Sequence, residues 1–195
     1  LRVSEMSGGV RIDVGEPGRS AEYVVTDAPD VLEPAVVEVR STPGAQLLVV
    51  TKDAAATRVW LADGGLVVSG ERTLRQTDLR EHPARELPDG YKVEVSHAGG
   101  AIYATVSDEA GARAASGRLS VFGGDAVADR IETDEAHRRR GLAAAVMSTL
   151  AAEARDAGAT RGLVAAYDDG DALYEALGWE TIAQVVVATA RSKGA

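Results

Sequence analysis

From residue 91 onward, apolar and polar positions alternate in short runs: YKVEVSHA, AIYATVSD, ARAASGRLSVF and DAVADRIET, each closed by Gly- or Asp-containing turns. Period-two alternation bounded by turn residues predicts half-buried strands. The period then lengthens. Leu142, Val146 and Leu150 fall on one stripe and predict a helix over 142–157, ended by Gly158. TRGLVAAY reads as a buried strand. DDGDALYEALG reads as a loop and a short helix with an Asp cap and Gly178 as its stop. WETIAQVVVATAR supplies a final strand or strand pair.

The first half is less regular. Residues 1–20 are Gly-rich and polar and are expected to be loose. AEYVVTDA predicts a strand, PDVLEPAVVEVRST a helix, PGAQLLVVT a buried strand, DAAATRVWLADGG a short helix and LVVSGE another strand. LREHPARELPDG, rich in charge and turn residues, reads as a linker. The expected organisation is a βαβαβ segment over 1–83, then a second domain over 84–195. Four meander strands followed by helix, strand, helix and strand give a mixed α/β sheet.

An internal similarity runs through this pattern. Residues 42–66 lie on 156–180 without a gap, pairing Gly44 with Gly158, Val50 with Val164, Trp60 with Tyr174 and Gly64 with Gly178. A degenerate half-repeat is one reading. Chance agreement between two helix–Gly–strand segments in an Ala- and Val-rich chain is the other.

Composition narrows the chemistry. The 195 residues carry a formal net charge of −9, which disfavours a general nucleic-acid surface. With no cysteine, disulfides, thiol catalysis and thiolate metal sites are excluded. His82, His97 and His137 are scattered without metal-ligand spacing, and the DDGD at 168–171 lacks the Gly and distal Glu spacing of a calcium loop, so no metal site is expected. Neither a signal-peptide pattern nor an apolar run of membrane-spanning length occurs, so no membrane partner and a cytoplasmic location are expected.

Against this acidic background, Arg138, Arg139 and Arg140 stand directly before the predicted helix, followed by Gly141. A helix N-terminus already carries partial positive charge. Three guanidiniums there make sense if an anion sits among them, held also by the free N–H groups. Gly141 lets the backbone approach a phosphate, and Ala143 keeps the first turn slim. No G-K-[ST] and no G-x-G-x-x-G is present, so this is neither a P-loop nor a dinucleotide fingerprint. The competing reading pairs the arginines with Glu132, Asp134 and Glu135.

RRRGLA, Arg138 to Ala143, resembles the R/Q-x-x-G-x-G/A signature of the GNAT superfamily of acetyl-CoA-dependent N-acetyltransferases. ALYEALGWE, Ala172 to Glu180, resembles the family's second landmark, L-Y-x-x-x-G-F. Strand, loop, helix, strand and landmark follow in the family's order over about residues 88–195. The resemblance implies the GNAT-like acyl-CoA N-acyltransferase fold, a mostly antiparallel mixed sheet flanked by helices. It also implies acetyl-CoA (CoA) as the cofactor.

Residue by residue, the resemblance places the pyrophosphate on the main chain of Arg138, Arg139, Arg140, Gly141, Leu142 and Ala143. It places the pantetheine arm on the strand before, at Ile131 and Thr133, with the N–H near Ile131 polarising the thioester carbonyl. Tyr174 corresponds to the tyrosine that often protonates the departing thiolate, although a packed aromatic beside Leu173 and Leu177 is the plain alternative. A phenol of ordinary pKa, about 10, holds its proton at neutral pH. Some members carry a Glu as base where this chain has Val127. Asp129, expected by alternation on the same face as Ile131 and Thr133, becomes the candidate general base, against a salt bridge as its plain alternative.

The family places two helices between its first two strands, where this chain has only SHAGG, Ser96 to Gly100. The acceptor's walls are then expected from residues 21–80 or from a partner chain, which leaves a homodimer open. The expected activity is direct acetyl transfer to a primary amine of a small molecule or peptide, with a non-catalytic acyl-CoA-binding or regulatory module as the alternative.

Overall fold

A computed structural model describes residues 2–16 and 18–191. In chain order the elements are β1 (Arg2–Met6), β2 (Gly9–Glu16), β3 (Arg19–Thr26), α1 (Pro29–Ser41), β4 (Gln46–Thr51), α2 (Ala54–Asp63), β5 (Leu66–Asp78), β6 (Tyr91–Ala98), β7 (Ala101–Asp108), β8 (Arg113–Phe122), β9 (Asp125–Thr133), α3 (Leu142–Asp156), β10 (Arg161–Ala166), α4 (Asp168–Ala176) and β11 (Glu180–Ala190). They form two compact units, residues 1–74 with 182–195, and residues 75–181. The division falls inside β5 and β11 rather than at residue 83, because the last strand returns to the first unit.

In the first unit the strand order is β1-β2-β3-β4-β11-β5. The expectation that residues 1–20 are loose is corrected: β1 and β2 pair antiparallel, and β2 pairs antiparallel with β3. Gly8, at φ +69 in the β1–β2 turn, is what the polar composition concealed. α1 forms despite its valines because Val31, Leu32, Ala35, Val36 and Val39 bury against β3 and β4, and Pro29 sits in the first turn where its missing N–H costs nothing. α2 is capped by the Asp53 side chain, which accepts from the Ala56 N–H at 2.9 Å.

In the second unit the order is β5-β10-β9-β8-β7-β6. β6 to β9 form an antiparallel meander, and β10 joins β9 in parallel. Gly99 and Gly100, both at positive φ, close the β6–β7 hairpin directly. α3 lays Leu142, Val146 and Leu150 on this sheet together with Ala151 and Ala154. α4 brings Tyr174 and Leu177 into a second cluster with Met147, Val164 and Ala166. Its cap position is Tyr167, so the helix starts at Asp168 rather than after a capping Asp. WETIAQVVVATAR forms one strand, not a pair.

The two units share an element order of antiparallel strands, helix, parallel strand, helix and strand, led by three strands in the first unit and by four in the second. They differ at the first strand-to-helix connection. Only Asp27 and Ala28 separate β3 from α1, whereas residues 134–141 separate β9 from α3.

Candidate acyl-transfer site in the second unit

β9 pairs with β10 from Asp125–Arg161 to Ala128–Val164 and no further. Beyond that rung the strands part, leaving β9 residues 129–133 and β10 residues 165–166 without each other as partners. A fork of this kind exposes main-chain donors and acceptors to which an extended ligand can add like a strand. The direction of those groups follows from the strand's end. The N–H of Asp134 donates to the Ala114 carbonyl at 2.9 Å, toward β8. By alternation the N–H and C=O groups of Thr133 and Ile131 face the other way, into the fork.

In β9, Ser116 of β8 opposes Glu132 while Arg118 opposes Asp129, so Gly117 faces both Arg130 and Ile131. This is a β-bulge, and Arg130 takes φ +53 to form it. The bulge resets the alternation. Ala126 and Ala128 point toward α3, and past the bulge so does Ile131, which packs into both core clusters. Gly117 makes room for it: a Cβ there would meet Ile131 Cδ1 at 2.6 Å and Val146 Cγ1 at 2.7 Å. Asp129 therefore lies on the face opposite Ile131 and Thr133, correcting the expectation that all three share one face. It is 53% exposed, paired with Arg118 across the strands and 3.9 Å from the Arg130 guanidinium.

The loop that follows is one 3-10 turn, Glu135–His137, capped by Asp134, and then the three arginines. Gly141 is the cap residue of α3 at φ +81, ψ 3, a left-handed conformation that favours glycine. Beyond the adjoining chain, no heavy atom lies within 4 Å of where its Cβ would be, so the space in front of it is open. α3 has no side-chain cap and no acidic residue in its first turn, so the leading N–H groups at Leu142 and Ala143 are free for an anion. Leu142 contributes only main chain there, since its side chain is buried in the core.

The arginines do not behave alike. Arg138 Nε donates to the Thr133 carbonyl at 3.4 Å, and Arg140 donates to the Tyr91 hydroxyl at 2.9 Å and to the Ala136 carbonyl at 3.3 Å. Arg139 sits at φ +62. Among the described residues none of the three makes an ion pair, so the carboxylate-pairing reading of this cluster fails.

Tyr174 is buried, with its ring 5.5 Å from Trp179 in an edge-on contact, in the cluster that holds Ala128, Val164 and Ala166 at the fork. Burial pushes its phenol well above the ordinary range, and the nearby charge of Asp129 pushes it further the same way. Thus the two sequence candidates for proton transfer lie in one electrostatic neighbourhood. α4 is held there by Arg75, which is buried, donates to Asp171 at 2.8 Å and to the Trp179 carbonyl at 3.0 Å.

Sequence reasoning missed Arg118, Arg75 and Tyr91, because a partner across a strand or from a distant element leaves no local spacing. A cavity of about 780 Å³ lined by Asp78, Arg80, Arg85, Arg161 and Glu180 lies at the opposite end of β10 from the fork and includes none of the expected site residues. Among the described residues no group of His, Asp and Glu forms a metal cluster, and no helix is long and apolar enough to cross a membrane.

The first unit lacks both features of this site. Its β3–β4 pairing runs to Thr26–Val50, the last residue of β3, and the two-residue connection leaves no room for a loop. The Thr51 hydroxyl donates to Asp27 at 2.6 Å and accepts from Thr57 at 3.0 Å, tying together the strand ends that are parted in the second unit.

Solved structures share the fold. A GCN5-related N-acetyltransferase from Kribbella flavida superposes with a TM-score of 0.75 at 17% identity, covering 98% of this chain and 90% of that one. One from Sphaerobacter thermophilus gives 0.65 at 10% identity over 93% and 76%. A tandem GNAT protein from the clavulanic acid biosynthesis pathway gives 0.61 at 15% identity over 77% and 65%. No curated protein matches the chain. The model of the acetyltransferase (GNAT) family matches residues 72–179, more than half the sequence, and spans the fork, the arginine–glycine loop and Tyr174. The chain belongs to the GNAT family of acetyltransferases.

Proposed function

We propose that the second unit transfers an acetyl group from acetyl-CoA to a primary amine by direct attack. The observation that carries the reading is the fork past Ala128–Val164, with the open Gly141 cradle at its far end. The inward-facing main chain of Ile131 and Thr133 takes the pantetheine arm, and the Ile131 N–H polarises the thioester carbonyl. The free N–H groups at Gly141, Leu142 and Ala143 receive the pyrophosphate.

Asp129 receives the amine's proton, directly or through water, on the face of the sheet opposite α3. The amine nitrogen bonds to the thioester carbon, the C–S bond breaks, and Tyr174 donates to the departing sulfur. An ordinary thiol titrates near 8.5, well below a phenol pushed up by burial, so a thiolate takes that proton only reluctantly. Burial is the larger cause of the raised phenol and stays in place; the lesser cause, the charge of Asp129, is relieved when Asp129 takes the amine's proton, which eases the transfer from Tyr174 part of the way.

The acceptor class is an amine on a small molecule or peptide. Acetyl-CoA offered with a panel of such amines, with free thiol as the readout, tests the reading. Amine-dependent thiol release is expected. Tight CoA binding with no release for any amine would favour a binding module instead.

A further inference from the structure

Tyr91 stands at the start of β6, forty-nine residues before the arginine it meets. Its hydroxyl lies 2.9 Å from Arg140 Nη1 and 2.9 Å from His137 Nδ1, and its ring meets the His137 ring edge-on at 5.7 Å. A guanidinium can only donate, so the phenol oxygen accepts from Arg140, and the same hydroxyl hydrogen-bonds His137 Nδ1, with the donor set by the imidazole tautomer. On its other side His137 Nε2 lies 3.9 Å from the Asp108 carboxylate. Asp108 is fixed in turn by the Ala112 N–H, which donates to it at 2.9 Å in the β7–β8 turn. The result is a row of side chains, Arg140, Tyr91, His137 and Asp108, each against the next and anchored in the sheet. The other amino group of Arg140 reaches the Ala136 carbonyl within the loop. One guanidinium therefore ties the loop to itself and to the edge strand.

We propose that Tyr91 is a positioning residue for the phosphate-binding loop: with His137 and Asp108 it clamps Arg140 so that residues 136–141 hold their ligand-ready shape before any ligand arrives. The inference rests on the acyl-CoA reading above. In it Arg140 is a brace turned back on the sheet, not a phosphate ligand. Its benefit is preorganisation: a loop already in its bound shape loses less freedom on binding.

The test is titration of CoA into wild type, Tyr91→Phe, Arg140→Gln and the double variant, with hydrogen exchange of loop amides 134–142 in the ligand-free proteins. Loss of one hydrogen bond to a charged group predicts a Kd about 10-fold or more higher in each single variant. The double variant should be no worse than the poorer single one, since both break the same clamp. KM for acetyl-CoA should rise while kcat holds, and loop exchange should quicken. Unchanged Kd and loop exchange in either single variant, or fully additive losses, would overturn the clamp. Should Tyr91→Phe fail to fold, Arg140→Gln, which alters only an exposed side chain, decides alone. Failure of the wild type to bind CoA would remove the acyl-CoA reading while loop exchange still judges the clamp.

Discussion

Ala128 pairs with Val164, and that rung is the last between β9 and β10. Everything the proposed chemistry uses lies just past it: Asp129 on one face, the Ile131 main chain in the gap, and Tyr174 in the cluster beneath. A chain whose strands stayed paired to their ends, as β3 and β4 do, would have no gap to fill.

Gly141→Val should abolish CoA binding while the protein stays folded. The new Cβ meets no protein atom beyond its chain neighbours, so the main cost to the free protein is the left-handed backbone, roughly 1–2 kcal/mol. A fall in Tm of about 2–8 °C is expected for a chain of this size. The two methyls would occupy the space of the pyrophosphate. Circular-dichroism melts and a binding titration check both halves. Normal CoA binding by the folded variant would show that the loop is misassigned.

Tyr174→Phe removes one hydroxyl from a packed ring, so packing and the CoA dissociation constant should hold. Loss of a general acid should lower kcat and kcat/KM together by roughly 10²–10⁴-fold. Because burial raises this phenol, no alkaline limb near the ordinary value of about 10 should come from it. Wild-type kcat in the variant, with chemistry shown to be rate-limiting, would return Tyr174 to a purely packing role.

Asp129→Asn keeps shape and removes the proton acceptor. Turnover should fall by roughly 10²–10⁴-fold while the CoA dissociation constant holds. Steady-state kinetics beside a CoA titration check this, and a wild-type kcat with chemistry shown to be rate-limiting would assign the base elsewhere.

His82 is buried with its ring 6.0 Å from Trp179, and burial pushes its pKa below the ordinary value. The unfolded chain then binds the proton more readily than the folded one. This contribution to stability is present above the unfolded value of about 6.5 and is lost as pH falls below it. Denaturant titrations at pH 7 and pH 5 should show a loss in wild type that is smaller in His82→Leu. Equal losses in both would refute the assignment.

Much of the second unit was legible because its signals are local. Leu142, Val146 and Leu150 share a stripe, Gly141 and Gly158 bracket the helix, and each meander strand alternates. What escaped depended on partners. The bulge at Arg130 has no sequence pattern, since arginine is not a residue that favours positive φ, yet it decides which face Asp129 takes. The strand read over LVVSGE stopped short of the polar half of β5, including Arg75, because its partners, Asp171 and the Trp179 carbonyl, lie about a hundred residues away. The first strands were hidden by glycines that serve their turns.

If the fork and loop of the second unit hold acyl-CoA, thermal unfolding with and without acetyl-CoA will show it. A ligand that binds only the folded state at a hundredfold excess over Kd adds about 2.7 kcal/mol, or roughly 5–10 °C in Tm for a chain of this size. Such a rise is expected in the wild type and none in Gly141→Val. No shift in the wild type at millimolar acetyl-CoA would contradict it.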